Sequence, residues 1–223
     1  MAEEKWFQGI AIAIPLYGFV PAASFASFLP AFLALPEFVD KMVVLTKSRS
    51  YVHLAERELA QDALRAAQEN PIDYVFWMEQ DHVFSVQDML HLLKSAKEKD
   101  LDIVSGLYVD RKDETKAVAF VKKDGQYFST ATLPDNSIVK VDAVGFGFTL
   151  VKFSVLKTLA EKYGLEKAFN VVDLEGKDIG QDFLFCELAQ KEGFKVWVHT
   201  GVKIGHDNSV NWPNEKLFEE GKK

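Results

Sequence analysis

The chain has 223 residues, enough for one α/β domain with a sizeable core or for two small domains. Hydrophobic residues make up 48%, with 18 phenylalanines, which excludes general disorder. The formal charge of −7 gives no overall footprint for nucleic acid; a single cysteine, Cys186, excludes an internal disulfide or a multi-cysteine zinc site and fits a reducing, cytoplasmic setting.

No charged residue occurs from Gly9 to Pro36, a stretch long enough to cross a bilayer. Pro15, Pro21, Pro30 and Pro36 interrupt it, and the preceding AEEK lacks the basic start of a secretory signal. The expectation is no membrane span, but a strand over Ile10 to Ile14, a loop, and a buried helix around Ala22 to Leu35. A second strand follows at about Lys41 to Leu45. A helix then runs from about Tyr51 to Gln68, with Leu54, Leu59, Ala63 and Leu64 roughly at helical spacing.

Tyr74 to Met78 is an unbroken apolar run bounded by polar residues, the pattern of a strand buried on both sheet faces. Ser85 is a natural N-cap for a helix to about Lys97 that carries Val86, Met89, Leu90 and Leu93 on one face. Asp102 to Leu107 completes a parallel βαβ pattern. The rhythm then changes. Ala117 to Val121 and Tyr127 to Thr132 are short strands joined by KKDG, a hairpin signal. A strand-like segment at Ile138 to Val141, a helix from Ser154 to Tyr163, a helix from Asp182 to Glu192 and a strand at Lys195 to His199 complete the series. The expected architecture is a single α/β domain over residues 1–206, with a mostly parallel central sheet and a small antiparallel element in its second half. A polar tail, 207–223, follows.

Four clusters bear on chemistry. The strand ending at Met78 delivers Glu79, Gln80, Asp81 and His82 at its carboxyl end, where ligands sit in open α/β sheets. Two carboxylates and an imidazole crowded there suit a divalent cation, with oxygen ligands favouring magnesium or manganese; the competing reading is a solvated turn with an aspartate cap. In VDAVGFGFTLV, Gly145 and Gly147 flank Phe146, which means either a glycine-kinked strand or a close approach to a ligand. Asp182 stands where a helix begins, by default an N-cap. His206 ends KIGH, beyond the last strand, and by itself reads as a surface histidine.

In this order the pieces resemble the GT-A-fold (Rossmann-like) glycosyltransferases, especially small single-domain members similar to family 2. The resemblance covers roughly residues 8 to 206. It matches Glu79-Gln80-Asp81 to a DXD-like motif, VGFGFTL to a glycine-aromatic acceptor segment, Gln181-Asp182 to an acidic pair at a helix start, and His206 to a closing histidine. IAIPLYG looks like the first strand, bordering the nucleotide base, and GLYVDR like the stretch lining the donor-sugar side.

That likeness implies a metal-dependent transferase moving a sugar from a nucleoside diphosphate of UDP or GDP type to a hydroxyl acceptor. It implies donor contacts from Pro15, Tyr17, Arg57, Glu79, Gln80, Asp81 and Arg111, and an acceptor pocket of Gly145, Phe146, Gly147, Phe148 and Gln181. Asp81 and His206 would hold Mn2+ or Mg2+, with Glu79 reaching it through water, and Asp182 would be the base of an inverting reaction. Trp77 and Trp197 read as core, whereas Trp212 suggests a tail that closes over the donor. Two departures stand out: glutamate opens the acidic motif, and glutamine replaces the acid before Asp182. The competing functions are an inactive sugar-nucleotide or glycan binding module and a nucleotidyltransferase. Against the latter, IPLYGFVPAAS offers no basic glycine-rich loop.

Overall fold

A computed structural model describes residues 5–48, 51–111, 113–130, 132–174 and 177–206. The elements run β1 (Phe7–Leu16), α1 (Ala22–Ala34), β2 (Val39–Ser48), α2 (Val52–Ala66), β3 (Tyr74–Met78), β4 (His82–Val83), α3 (Val86–Lys99) and β5 (Ile103–Leu107). Then come β6 (Val109–Asp110), β7 (Asp113–Ala117), β8 (Ala119–Lys123), β9 (Gln126–Ser129), β10 (Ile138–Val141), β11 (Ala143–Val144) and β12 (Phe148–Lys152). The chain continues through α4 (Phe153–Tyr163), α5 (Leu165–Ala168), β13 (Val172–Leu174), β14 (Lys177–Ile179), α6 (Gln181–Lys191), β15 (Val196–Lys203) and β16 (Gly205–His206).

A seven-stranded sheet, in the order β10-β15-β5-β12-β3-β1-β2, forms the centre. β1 pairs in parallel with β2 and β3, and β5 with β15. β12, however, is antiparallel to both β3 and β5, and β10 is antiparallel to β15. The sheet is therefore mixed, which corrects the expectation of a mostly parallel one. The cause lies in the connections. Helices α1 and α2 bridge the early strands and return them in parallel, whereas only short hairpin strands lead into β12, so no helical crossover sets its direction.

The two faces of the sheet build separate cores. On β1, Ile10, Ile12 and Ile14 point to one side and Ala11 and Ala13 to the other, the two-residue alternation of a strand. The isoleucine side packs with Phe28 and Ala31 of α1 and with Met89, Leu92 and Leu93 of α3. The alanine side leaves room for α2, through Leu59, Ala60 and Ala63, and for Trp77, with Leu156 of α4 and Phe185 of α6 in the same cluster. Each fully buried large side chain contributes on the order of 1.5–3 kcal/mol.

Local signals explain several boundaries. Ser85 caps α3 in a capping box: its hydroxyl accepts from the Asp88 N–H at 3.1 Å, and Asp88 Oδ2 accepts from the Ser85 N–H at 2.9 Å. Ser85→Ala is expected to cost about 1 kcal/mol in urea unfolding, with the slope unchanged. In the β8–β9 hairpin Asp124 and Gly125 both take positive φ (49° and 78°), as its tight turn demands. The uncharged stretch 9–36 becomes most of β1 and the 13-residue α1, and no helix among the described residues is long and apolar enough to cross a membrane. α1 is not the buried helix expected. It seats Ser24, Ser27, Phe28 and Ala31 and leaves Phe25, Leu29 and Leu33 in solvent.

Candidate metal centre and acidic cluster

The carboxyl end of β3 lies between β1 and β12, so the turn after Met78 is held from both sides. The Glu79 N–H donates to the Gly147 carbonyl at 2.8 Å. Gln80 reaches the other way: its Oε1 accepts from the Tyr17 N–H at 2.6 Å and its Nε2 donates to the Phe19 carbonyl at 3.2 Å. Gln80 thus ties the loop after β1 to the acidic turn. β4 then pairs with β16, with His82 opposite His206, and the two imidazoles stack at 4.7 Å. Residues 81 and 206 meet as the sequence motifs suggested: His206 Nε2 lies 3.5 Å from Asp81 Oδ2.

Glu79, Asp81 and His82 each offer a ligand atom within 4.8 Å of the others, and this cluster could hold a metal ion. The unsatisfied groups point the same way. Asp81 Oδ1 and both ring nitrogens of the fully buried His82 have no hydrogen-bond partner, a cost of about 1–3 kcal/mol per orphaned group. Burial, with the neighbouring His206, drives His82 down to about 3, so its ring is neutral and its lone pair free to ligate. His206 is oriented by its second nitrogen: Nδ1 sits 3.0 Å from the Val109 carbonyl, and Nε2 accepts from Arg111 Nε at 3.0 Å. Against its burial, the Asp81 carboxylate at 3.5 Å and the Val109 carbonyl work to raise the His206 imidazole, which would favour a protonated ring. The shorter contact with the permanently charged guanidinium decides for the neutral one, with its proton on Nδ1.

The acids outnumber the positive charge beside them. Arg111 Nη2 bonds Asp81 Oδ2 and lies 3.9 Å from Glu79 Oε2. Burial works to raise Asp81, yet the Arg111 guanidinium bonded to its Oδ2 holds its carboxyl below the usual range. Burial and the adjacent Asp81 push Glu79 up to about 7. Glu56 on α2 is 1% exposed with Oε2 unpartnered, and burial together with the fields of Asp182 and Glu79 raises it well above its ordinary value. The Tyr17 phenol is raised by burial and by Glu56, Glu79 and Asp81, which puts it at the rim of the same cluster.

Asp182 comes to this cluster from the start of α6. Gly180, not Asp182, is the N-cap residue, which corrects the default reading; Asp182 Oδ1 accepts from the Phe183 N–H at 3.0 Å. A helix start by itself would lower its pKa. Instead burial pushes it up to about 6 against those N–H bonds, because desolvation of the carboxylate outweighs the dipole. Gln181 is buried and hydrogen-bonds the Glu56 carboxyl, which opposes the rise at Glu56.

The glycines of VGFGFTL are explained by packing. A Cβ on Gly147 would stand 2.3 Å from His82 Cε1 and 3.0 Å from Tyr108 Cζ; one on Gly145 would stand 2.2 Å from Tyr108 Oη. The Tyr108 hydroxyl in turn accepts from the Gly147 N–H at 3.1 Å. Both rings are buried and cannot yield, so Gly147→Ala is expected to cost about 1–3 kcal/mol in chemical denaturation. Phe146 and Phe148 do not line the acceptor pocket that the resemblance implied; they lie in the two cores. Phe146 stacks on Trp77 at 5.5 Å, and Phe148 packs on Phe76 at 4.8 Å. Adjacent core strands leave these rings no route to solvent. Trp77 is core as expected, and Trp197 is partly buried against the core on the other face of the sheet.

Pro15 is buried in β1 opposite Lys47, and Arg57 is half-buried with no hydrogen bond or ion pair among the described residues. Its neighbour Glu56 is the α2 side chain that reaches the cluster. Glu56 shares the buried stripe of Leu59, Ala60 and Ala63, and an acid at that helical spacing was the signal that could have found it. The tail 207–223, with Trp212, lies outside the described residues.

No protein-family model and no curated protein matches the chain. Among solved structures, the crystal structure of A197 from STIV is similar, with a TM-score of 0.61 over 97% of this chain and 95% of that one, at 17% identity. At that identity the likeness shows a shared fold.

Proposed function

We propose that this chain is a metal-dependent glycosyltransferase of GT-A type that moves a sugar from a nucleoside diphosphate to a hydroxyl acceptor. One observation carries the reading: Glu79, Asp81, His82 and His206, far apart in sequence, converge at the carboxyl end of a central strand beside half-buried Asp182. The parallel β2-β1-β3 unit with its α1 and α2 connections supports the reading, since a nucleotide would lie against the carboxyl ends of such strands. The donor set of carboxylate oxygen and imidazole fits Mn2+ better than Mg2+, although both take carboxylates. Such an ion supplies Lewis-acid stabilisation of the leaving diphosphate.

The chain's own residues do the rest. Asp81 and the imidazoles of His82 and His206 present ligands, Gln80 fixes the loop that borders the base, and Tyr17 stands at the rim. Asp182, with a pKa near 6, is ionised at neutral pH yet still basic enough to take the acceptor's proton, which gives an inverting displacement. Gln181 favours a second reading, a binding module without turnover, because it supplies no carboxylate where the family pattern has one. A thermal-shift panel of uridine and guanosine diphosphates, each with and without manganese, tests the proposal. The expected result is a metal-dependent rise for one of the two. No shift with either nucleotide would count against both readings.

A further inference from the structure

Arg111 holds the position that a bound cation needs. Its Nε–H donates to the Nε2 lone pair of His206 at 3.0 Å, and its Nη2 bonds Asp81 Oδ2, 3.5 Å from that same nitrogen. A nitrogen has one in-plane lone pair. It serves a guanidinium N–H or a metal, but not both. The two positive charges would also repel at this range, inside a site that screens them poorly. Asp81 Oδ1 and the unprotonated nitrogen of His82, by contrast, are buried without hydrogen-bond partners and remain available to an arriving ion.

We infer that metal and Arg111 exclude one another: binding a divalent cation expels the guanidinium, and the expelled side chain becomes the ligand for the donor's phosphates. This rests on the metal centre proposed above. The guanidinium can leave because its side chain is 47% exposed, at the hairpin between β6 and β7. It carries a planar fork suited to phosphate oxygens. Once displaced, it remains tethered at the edge of the cluster. Metal arrival thus both fills the acidic cluster and frees a cation to capture an anion, which couples the two ligands.

The test needs only manganese. Titration of the full chain, followed by the loss of the free-ion electron paramagnetic signal, is expected to show about tenfold tighter binding for Arg111→Met than for the unaltered chain, the effect of deleting one competing charge-assisted contact. In the unaltered chain, phenylglyoxal modification of Arg111, read by peptide mass spectrometry, should accelerate several-fold on adding manganese, which requires no variant to fold. Equal manganese affinity in both chains, or a modification rate indifferent to manganese that is bound, would overturn the exclusion while leaving the metal centre intact. If neither chain binds manganese, the metal centre itself fails, and the exclusion with it.

Discussion

Asp182→Asn is expected to lower donor turnover by about a thousandfold while leaving nucleotide binding within a factor of two or so, because the amide occupies the same space but cannot accept a proton. Hydrolysis of the donor to free sugar, with water as acceptor, measures this before the natural acceptor is known. In the unaltered chain the rate should climb through about pH 6 as Asp182 ionises and then level off. Stability should move the other way. The folded value of about 6 lies above the unfolded value of about 3.9, so the native state holds the proton more tightly. Stability is then greatest below about pH 4 as far as this group is concerned, and that contribution is lost as pH rises through 6. The asparagine variant removes the buried charge and should melt higher than the parent at pH 7, a loss of function with a gain in stability. A variant that turned over donor normally would remove Asp182 from the chemistry.

The second large effect is at Asp81. Asp81→Asn should weaken manganese binding by at least two orders of magnitude, because the carboxylate is the one ligand held below the usual pKa range and thus charged throughout the physiological interval. It should also abolish the metal-dependent part of any nucleotide-induced thermal shift. Glu79→Gln should do less, since burial and the adjacent carboxylate raise Glu79 to about 7 and leave it only partly charged in the metal-free site. Isothermal calorimetry with manganese alone ranks the two. Equal losses at both positions would mean that Glu79 binds the ion directly rather than through water.

Much of the fold was legible locally. Tyr74–Met78 and Ile138–Val141 are strands with the bounds their apolar pattern indicates, and Ser85 caps the helix it precedes. Long-range placement was not. Nothing within FTLVK states that this strand enters the sheet centre in reverse between β3 and β5, because direction is set by connections outside the segment. The exposed apolar stripe of α1 was hidden for a related reason. Periodicity alone could not tell which side of a uniformly apolar helix would pack, and the smaller side, with Ser24, Ser27 and Ala31, did.

The site divides in the same way. The approach of Asp81 and His206 was implied only by the family resemblance, since His206 by itself reads as a surface histidine, whereas His82 stands in the acidic turn. The contact of Arg111 with His206 depends on tertiary geometry that spacing does not encode. Gly145 and Gly147 were read as candidates for a close approach. The approach exists, but it is made by the chain's own Tyr108 and His82 rings.

The pairing of β4 with β16 has an implication for synthesis on the ribosome. The acidic turn emerges early, but its imidazole partner at position 206 is translated only after every strand of the large sheet. A nascent polypeptide therefore assembles every strand of its scaffold before residue 206 can reach the acidic turn, so the cluster is closed only at the last step of the chain's own folding order.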